Sequence, residues 1–332
     1  MPGMYAHHAF GLRALKASGA QAQPMPGAQR EAFLLGCQGP DFCYYHMIRP
    51  GAKADWVGLA RALHSREIGQ MMQEGLTQAG NGNDRSVRAY FLGYLTHYAL
   101  DAYAHPYVFY HCYKKKYHLR FEAAIDAKLM ERDGFNPSRS PLYRLVGKVD
   151  AKQKEAIAAF WHVLLKKVYN TNVAKSDLGR VLTAMRRAFR LTVSRFGIKK
   201  RMLELAAGRW GLKDDFRALF YTESQVTDGD CLNEGRRTWS LPWDKDQRRD
   251  LSYPMIEEQA LRFAAGCLEA AIAYWGGTGT LAGALESIGR MSMLTGEDWR
   301  MERETYLNVS RRFFAGGSPG QDGEETNALW QQ

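Results

Sequence analysis

The chain is short of the features that would take it out of the ordinary globular class. No Cys-x-x-Cys pair occurs, and the five cysteines (Cys37, Cys43, Cys112, Cys231 and Cys267) are an odd set. That argues against a disulfide framework and against a thiolate zinc knuckle, so all five are expected to be reduced. The longest apolar stretches, 90–100 and 264–275, fall well below the roughly 18–20 residues that span a bilayer, which excludes a transmembrane segment. The opening residues carry no basic cluster leading into an apolar run. No signal peptide is therefore legible, and a cytoplasmic location is expected. Strand signals are weak: few runs alternate polar and apolar residues between turns, and no regular strand–helix alternation would build a parallel sheet. There is no internal repeat, and beyond residue 118 only one histidine, His162, remains.

What is present is helical periodicity in a chain of 332 residues, 45% apolar and 24% charged, a balance that suits a packed core. Apolar residues recur three and four apart in Trp56-x2-Leu59-Ala60-x2-Leu63, in Tyr90-Phe91-x2-Tyr94-Leu95-x2-Tyr98-Ala99 and in Phe160-x2-Val163-Leu164-x3-Val168, each the stripe of a helix. Asn83-Asp84 is a candidate N-cap for the second run, and Pro106 marks where that helix should end or kink. Further helices are expected near 8–18, 28–36, 117–132, 150–169, 177–195, 199–210 and 254–275. The fold class is all-α, a multi-helix single domain over 1–314. It comprises a ligand-rich region 1–130, a basic helical region 131–217, and a long loop with C-terminal helices over 218–314. The segment 228–253 reads as a long ordered loop, and 315–332, rich in Gly, Ser, Asp and Glu, as a flexible tail.

The net charge of +10 is unevenly placed. Residues 127–217 hold 21 Lys and Arg against 8 Asp and Glu, a charge of +13, while 1–126 carry +4 and 218–332 carry −7. Such a segment attracts polyanions, either an anionic membrane surface or a nucleic acid backbone, although a set of solvated helix faces is the plainer reading.

Histidine is more sharply clustered, with eight of nine in the first 118 residues. His97-x3-Asp101-x3-His105 sets three potential ligands on one helical face, and His118-x3-Glu122-x3-Asp126 repeats the pattern on the next helix. Imidazole and carboxylate together suit zinc. Asp41 in a Gly-Pro-Asp turn, His64 on a third helix and His7 at the start of the first are further contributors. A lone pair of this kind is more often a surface or capping contact; two pairs on successive helices, with the rest of the chain nearly free of His, favour metal. His8, His46, His111 and His162 are left out of the site.

The order His7, Gly39-Pro40-Asp41, His64, Gly93-Tyr-Leu-Thr-His97-x3-Asp101-x3-His105-Pro106 and His118-x3-Glu122 resembles the zinc-dependent phospholipase C family, whose fold is shared with fungal zinc nucleases acting on single-stranded nucleic acid. The motifs cover about residues 1–130, with a less specific likeness at Leu232-Asn233-x5-Trp239-x2-Pro242. The resemblance implies two or three zinc ions. One would be held by Asp41, His64, His97 and Asp101, a second by His105, His118 and Glu122, and a third by His7 with Asp101 bridging. In secreted members the third metal also takes a freed α-amino group, and the present sequence departs there. The implied activity is that of a phospholipase C-type phosphodiesterase on a phospholipid or other phosphodiester. Alternatives are a nuclease on the same site and a helical zinc-binding protein without catalysis. Asp41 either orients and deprotonates the attacking water or serves as a ligand only. Phe42, Tyr44, Tyr45 and Trp56 either box a head group or base, or belong to the core.

Overall fold

Helix α5 (Arg85–His111) is buried along almost its whole length, and the other elements are laid around it. This computed structural model describes residues 3–19, 25, 27–48, 54–82, 84–112, 115–137, 139–192 and 229–300. In chain order these residues form α1 (Met4–Ala17), α2 (Gly27–Gly36), a 3₁₀ segment (Gly39–Ile48), α3 (Trp56–Ser65), α4 (Ile68–Asn81), α5, α6 (Lys115–Arg132) and a 3₁₀ turn (Leu142–Arg144). After them come α7 (Ala151–Tyr169), α8 (Lys175–Leu182), α9 (Ala184–Thr192), strands β1 (Trp239–Leu241) and β2 (Asp244–Arg249), α10 (Tyr253–Trp275) and α11 (Leu281–Ile288). The fold is all-α, and among the described residues the only sheet is the β1–β2 hairpin. No helix among the described residues is long and apolar enough to cross a membrane, and all five cysteines are buried free thiols.

Helix starts follow side-chain capping. Asp84 accepts from the Ser86 amide at the head of α5, Asp150 and Gln153 form a reciprocal capping box at α7, and Ser252 caps α10 ahead of Pro254; each satisfies amides the first turn leaves unpaired. The closest helix crossing is α2 on α5. A Cβ at Gly36 would collide with the backbone of Tyr90 and Gly93, and one at Gly93 with the Phe33 carbonyl. This crossing brings the end of α2 and the 3₁₀ segment directly over the middle of α5. One hydrophobic core runs from Met4 to Met293, with Trp56, Trp161, Trp239 and Tyr90 among its largest buried side chains.

Several expectations are corrected. Pro106 does not end α5, which continues to His111; the Ala102 carbonyl that loses its Pro106 partner faces Gly296 instead, where a Cβ would collide with it. The loop expected over 228–253 contains a hairpin, which carries no alternation because β2 reads Asp-Lys-Asp-Gln-Arg-Arg and is mostly exposed, while β1 buries Trp239 and Leu241. The helix expected over 177–195 is broken at Thr183 into α8 and α9. Helices α4 and α11 had not been expected. Three glycines (Gly69, Gly75 and Gly80) obscure α4 in sequence, and Gly75 is needed because the Phe91 ring lies where a side chain would start. The helix expected at 199–210 and the tail at 315–332 lie outside the described residues.

Candidate metal centre

Five elements bring the histidines and acids together. α5 carries His97, Asp101 and His105 on one face, and α6 brings His118 and Glu122. α3 carries His64 in its last turn, α1 supplies His7, and the 3₁₀ segment supplies Asp41. None of these eight residues is more than 4% exposed. The atoms fall into three donor sets, each within 4.8 Å: His7, His97 and Asp101; Asp41, His64 and His97; and His105, His118 and Glu122.

Asp101 stands between the first two sets. Its Oδ1 is 3.2 Å from His7 Nε2, and its Oδ2 is 3.1 Å from His97 Nε2 and 3.6 Å from His64 Nε2. Asp41 Oδ1 lies 3.2 Å from His64 Nε2 and 3.8 Å from His97 Nε2, while His118 Nε2 meets Glu122 Oε1 at 2.7 Å. The His7 and His97 rings stack at 4.0 Å, and those of His105 and His118 at 5.8 Å.

The backbone fixes which nitrogen each ring presents. His64 Nδ1–H donates to the Ala60 carbonyl at 2.6 Å and His97 Nδ1–H to the Cys37 carbonyl at 3.2 Å. A carbonyl only accepts, so each Nδ1 carries its proton and Nε2 is the nitrogen aimed at the carboxylates, where it can serve as a metal ligand. Carbonyl-bound imidazoles of this kind are the usual support of metal-ligating histidine. Gly39 permits the approach: it has φ of +48°, and a Cβ there would enter the His97 ring. His7 is placed from the opposite side. Asp126, one turn beyond Glu122 on α6, accepts from the amides of Tyr5 at 2.7 Å and Ala6 at 3.0 Å, so the helix that presents one donor set also holds the first turn of α1.

These groups are not self-sufficient. His7 Nε2, Asp41 Oδ1, His64 Nε2, His97 Nε2 and both Asp101 oxygens are buried without a hydrogen-bond partner. Burying carboxylates and imidazoles unpaired is costly, whereas cations seated among these atoms would partner all of them. A His/Asp/Glu donor set without thiolate suits zinc. The protonation balance points the same way. Burial and the nearby His97 push His7 down to about 4, and burial carries His105 and His118 well below the usual imidazole range, leaving neutral ligands. Burial tends to raise Asp101, yet His97, His105 and His7 hold it well below the usual carboxylate range. Burial also opposes a charge on His97, but Asp101 and Asp41 raise it.

All eight residues singled out in the sequence are thus brought together. The four histidines left out stay out: His8, His46 and His162 each bond a backbone carbonyl, of Leu145, Cys43 and Val173 respectively, and His111 stacks on Phe121. Of the aromatics near Asp41, Phe42 and Trp56 belong to the core, Phe42 packing edge-on to Trp161. Tyr45 packs on Phe189, and half-buried Tyr44 reaches the His64 ring at 6.1 Å. Sequence reasoning missed the capping role of Asp126, whose spacing from Glu122 was the available signal. It also missed the carbonyl of Cys37, for which no signal exists.

No curated protein and no solved structure matches the chain. The family model described as zinc-dependent phospholipase C matches residues 6–179, more than half of the sequence and all eight clustered residues. On that match and this architecture, the chain belongs to the zinc-dependent phospholipase C family.

Proposed function

We propose that the protein is a zinc-dependent phosphodiesterase of phospholipase C type, hydrolysing the bond between phosphate and the glycerol oxygen of a phospholipid. The observation that carries this reading is the shared carboxylate: Asp101 divides its two oxygens between adjacent donor sets, with His105, His118 and Glu122 following on the next turn of α5 and on α6. In the proposed assignment Asp41, His64, His97 and Asp101 hold one ion, His105, His118 and Glu122 a second, and His7 with Asp101 a third. Bound zinc supplies a Lewis acid that neutralises phosphate charge and brings the pKa of water near 7.

The chain's own residues complete the chemistry. Asp41, which turns Oδ1 toward His64 and His97, orients the attacking water and takes up its proton through the carboxylate. The water oxygen bonds to phosphorus, the bond from phosphorus to the glycerol oxygen breaks, and the proton ends on that oxygen. The products are a diacylglycerol and a phosphorylated head group. Tyr44, half-buried beside His64, lines the approach.

A nuclease on the same site is the second reading: the exposed arginines of α9, Arg187 and Arg190, suit a nucleic acid backbone as well as an anionic membrane. The test is hydrolysis of a chromogenic phosphodiester, then of a phosphatidylcholine and of single-stranded DNA, each with chelator and after zinc is restored. Zinc-dependent turnover of the lipid above the DNA is expected. Turnover of DNA alone would favour the nuclease, and zinc binding without turnover of any diester would leave a non-catalytic metal protein.

A further inference from the structure

The turn that follows α11 touches the metal centre at several points, although it lies more than a hundred residues beyond the segment that carries the family match. Ser292 N–H donates to the Glu297 carbonyl at 2.8 Å, Gly296 N–H to the Ser292 carbonyl at 2.9 Å, and Leu294 N–H to the Ser292 hydroxyl at 3.1 Å. Ser292 itself is fully buried, so the turn is closed by its own polar groups before it meets anything else.

Apart from the Glu297 carboxylate, which accepts from Trp243 Nε1–H of the hairpin at 2.9 Å, its main outward contacts reach elements that bear ligands. Met293 N–H donates to the carbonyl of His64 at 2.8 Å, one of the last-turn carbonyls of α3 that no helical amide can reach. Gly296, with φ of +73°, lies against the Ala102 carbonyl that Pro106 leaves without an amide. Tyr98, next to His97, donates from its hydroxyl to the Ile288 carbonyl at 3.0 Å and accepts from the Met291 amide at 2.9 Å. Leu294 packs on Phe109, whose ring lies 5.2 Å from both His105 and His118.

Helix α3 needs this support. It packs on the 3₁₀ segment and on α4 and has no broad face against α5, so its His64 side chain approaches Asp101 from an element that α5 does not itself hold. The turn spans the gap: Met293 binds the main chain of His64, while Gly296 meets Ala102 of α5 and Leu294 packs on Phe109 beneath the His105 ring, so one turn touches the supports of two different donor sets.

We propose that the turn 291–297 is a positioning clamp of the metal centre, holding His64 against His105 and thereby setting the separation of the two donor sets. The proposal rests on the zinc reading of the site and is independent of the substrate. Removing an outer support of a metal ligand costs roughly 10–100-fold in affinity, so Tyr98→Phe and Ser292→Ala should each release zinc to a chromophoric chelator about tenfold faster than the parent. Thr280→Ala is the control. Its hydroxyl caps α11 at the Gly283 amide in the same part of the chain but touches no ligand-bearing element, and it should release zinc at the parent rate even where its Tm falls as far.

Equal release from all three variants and the parent would overturn the clamp. Should both buried variants fail to fold, hydrogen exchange on the parent chain decides: amides 291–296 should exchange at least about tenfold more slowly once zinc is loaded, while those of α9 are unchanged, and a turn whose exchange ignores zinc overturns the proposal. A parent that binds no zinc would remove the metal reading itself, whereas a parent that binds zinc with an unresponsive turn would remove only the clamp.

Discussion

The ligand cluster and the basic face of α8 and α9 are the two chemically marked regions of this chain, and they are built in opposite ways. In the cluster, acids and imidazoles from five elements are buried to within a few per cent of full burial and converge atom on atom. On α9 the amphipathic pattern turns Met185, Ala188 and Phe189 inward and leaves Arg187 and Arg190 in solvent. Arg186, whose charge counts equally in the sequence, gives its guanidinium to the carbonyls of Tyr143, at 2.6 Å, and Val146 and lies over the Tyr143 ring, so it braces the 3₁₀ turn. Ligand chemistry demands one geometry, whereas net charge is compatible with many, and a charge total therefore mixes exposed and structural residues.

The largest expected effect lies at the carboxylate that joins two donor sets. Asp101→Asn should lose more zinc per chain than His7→Ala and should lower turnover of a chromogenic diester by more than about 100-fold, since a direct ligand outweighs the supports around it. Metal analysis of the two variants checks this, and equal zinc loss would refute the bridging role. Next comes the basic face. Each arginine near an anionic lipid surface contributes on the order of 1 kcal/mol, so Arg187→Ala with Arg190→Ala should weaken binding to anionic vesicles by roughly 30-fold. Small-diester turnover should stay within about twofold, because neither side chain is in the cluster. Vesicle sedimentation at low and high salt measures it, and unchanged binding would leave these arginines as a solvated face.

The smallest effect is on the metal-free fold. His7, held near 4, and His105 and His118, held well below the ordinary range by burial, are neutral when folded but take protons in the unfolded chain below about pH 6.5. Folded chains then bind fewer protons than unfolded ones, so stability should fall as pH drops from about 6.5 toward 4. His97, raised by Asp101 and Asp41 against its burial, acts in the opposite sense and softens the loss. Melting of chelated protein should show a lower Tm at pH 5 than at pH 7, by roughly 2–4 °C for each kcal/mol lost, and a Tm that rises on acidification would contradict the neutral assignment.

The same contrast explains what could be read from sequence. Most of the helices were legible from their apolar periodicity, and all eight clustered residues because imidazole and carboxylate four apart on a helix report both their chemistry and their direction. Backbone contributions were not: any residue offers a carbonyl and nearly any an amide, so nothing marks Cys37 as the support of His97 or Met293 as the partner of the His64 carbonyl. Pro106 was read as the place where the helix should end or kink, and the helix does not end there; what faces the freed Ala102 carbonyl is Gly296, 194 residues later. The β1–β2 hairpin was hidden because its outer strand is nearly all charged and gains its place from Trp239 and Leu241 on the other.

Metal content is the most direct test of the account. Protein purified without chelator and reconstituted with zinc should carry at least two tightly held ions per chain, and their removal should abolish phosphodiester hydrolysis that zinc then restores. Fewer than one ion per chain after reconstitution would contradict the metal centre and the function drawn from it.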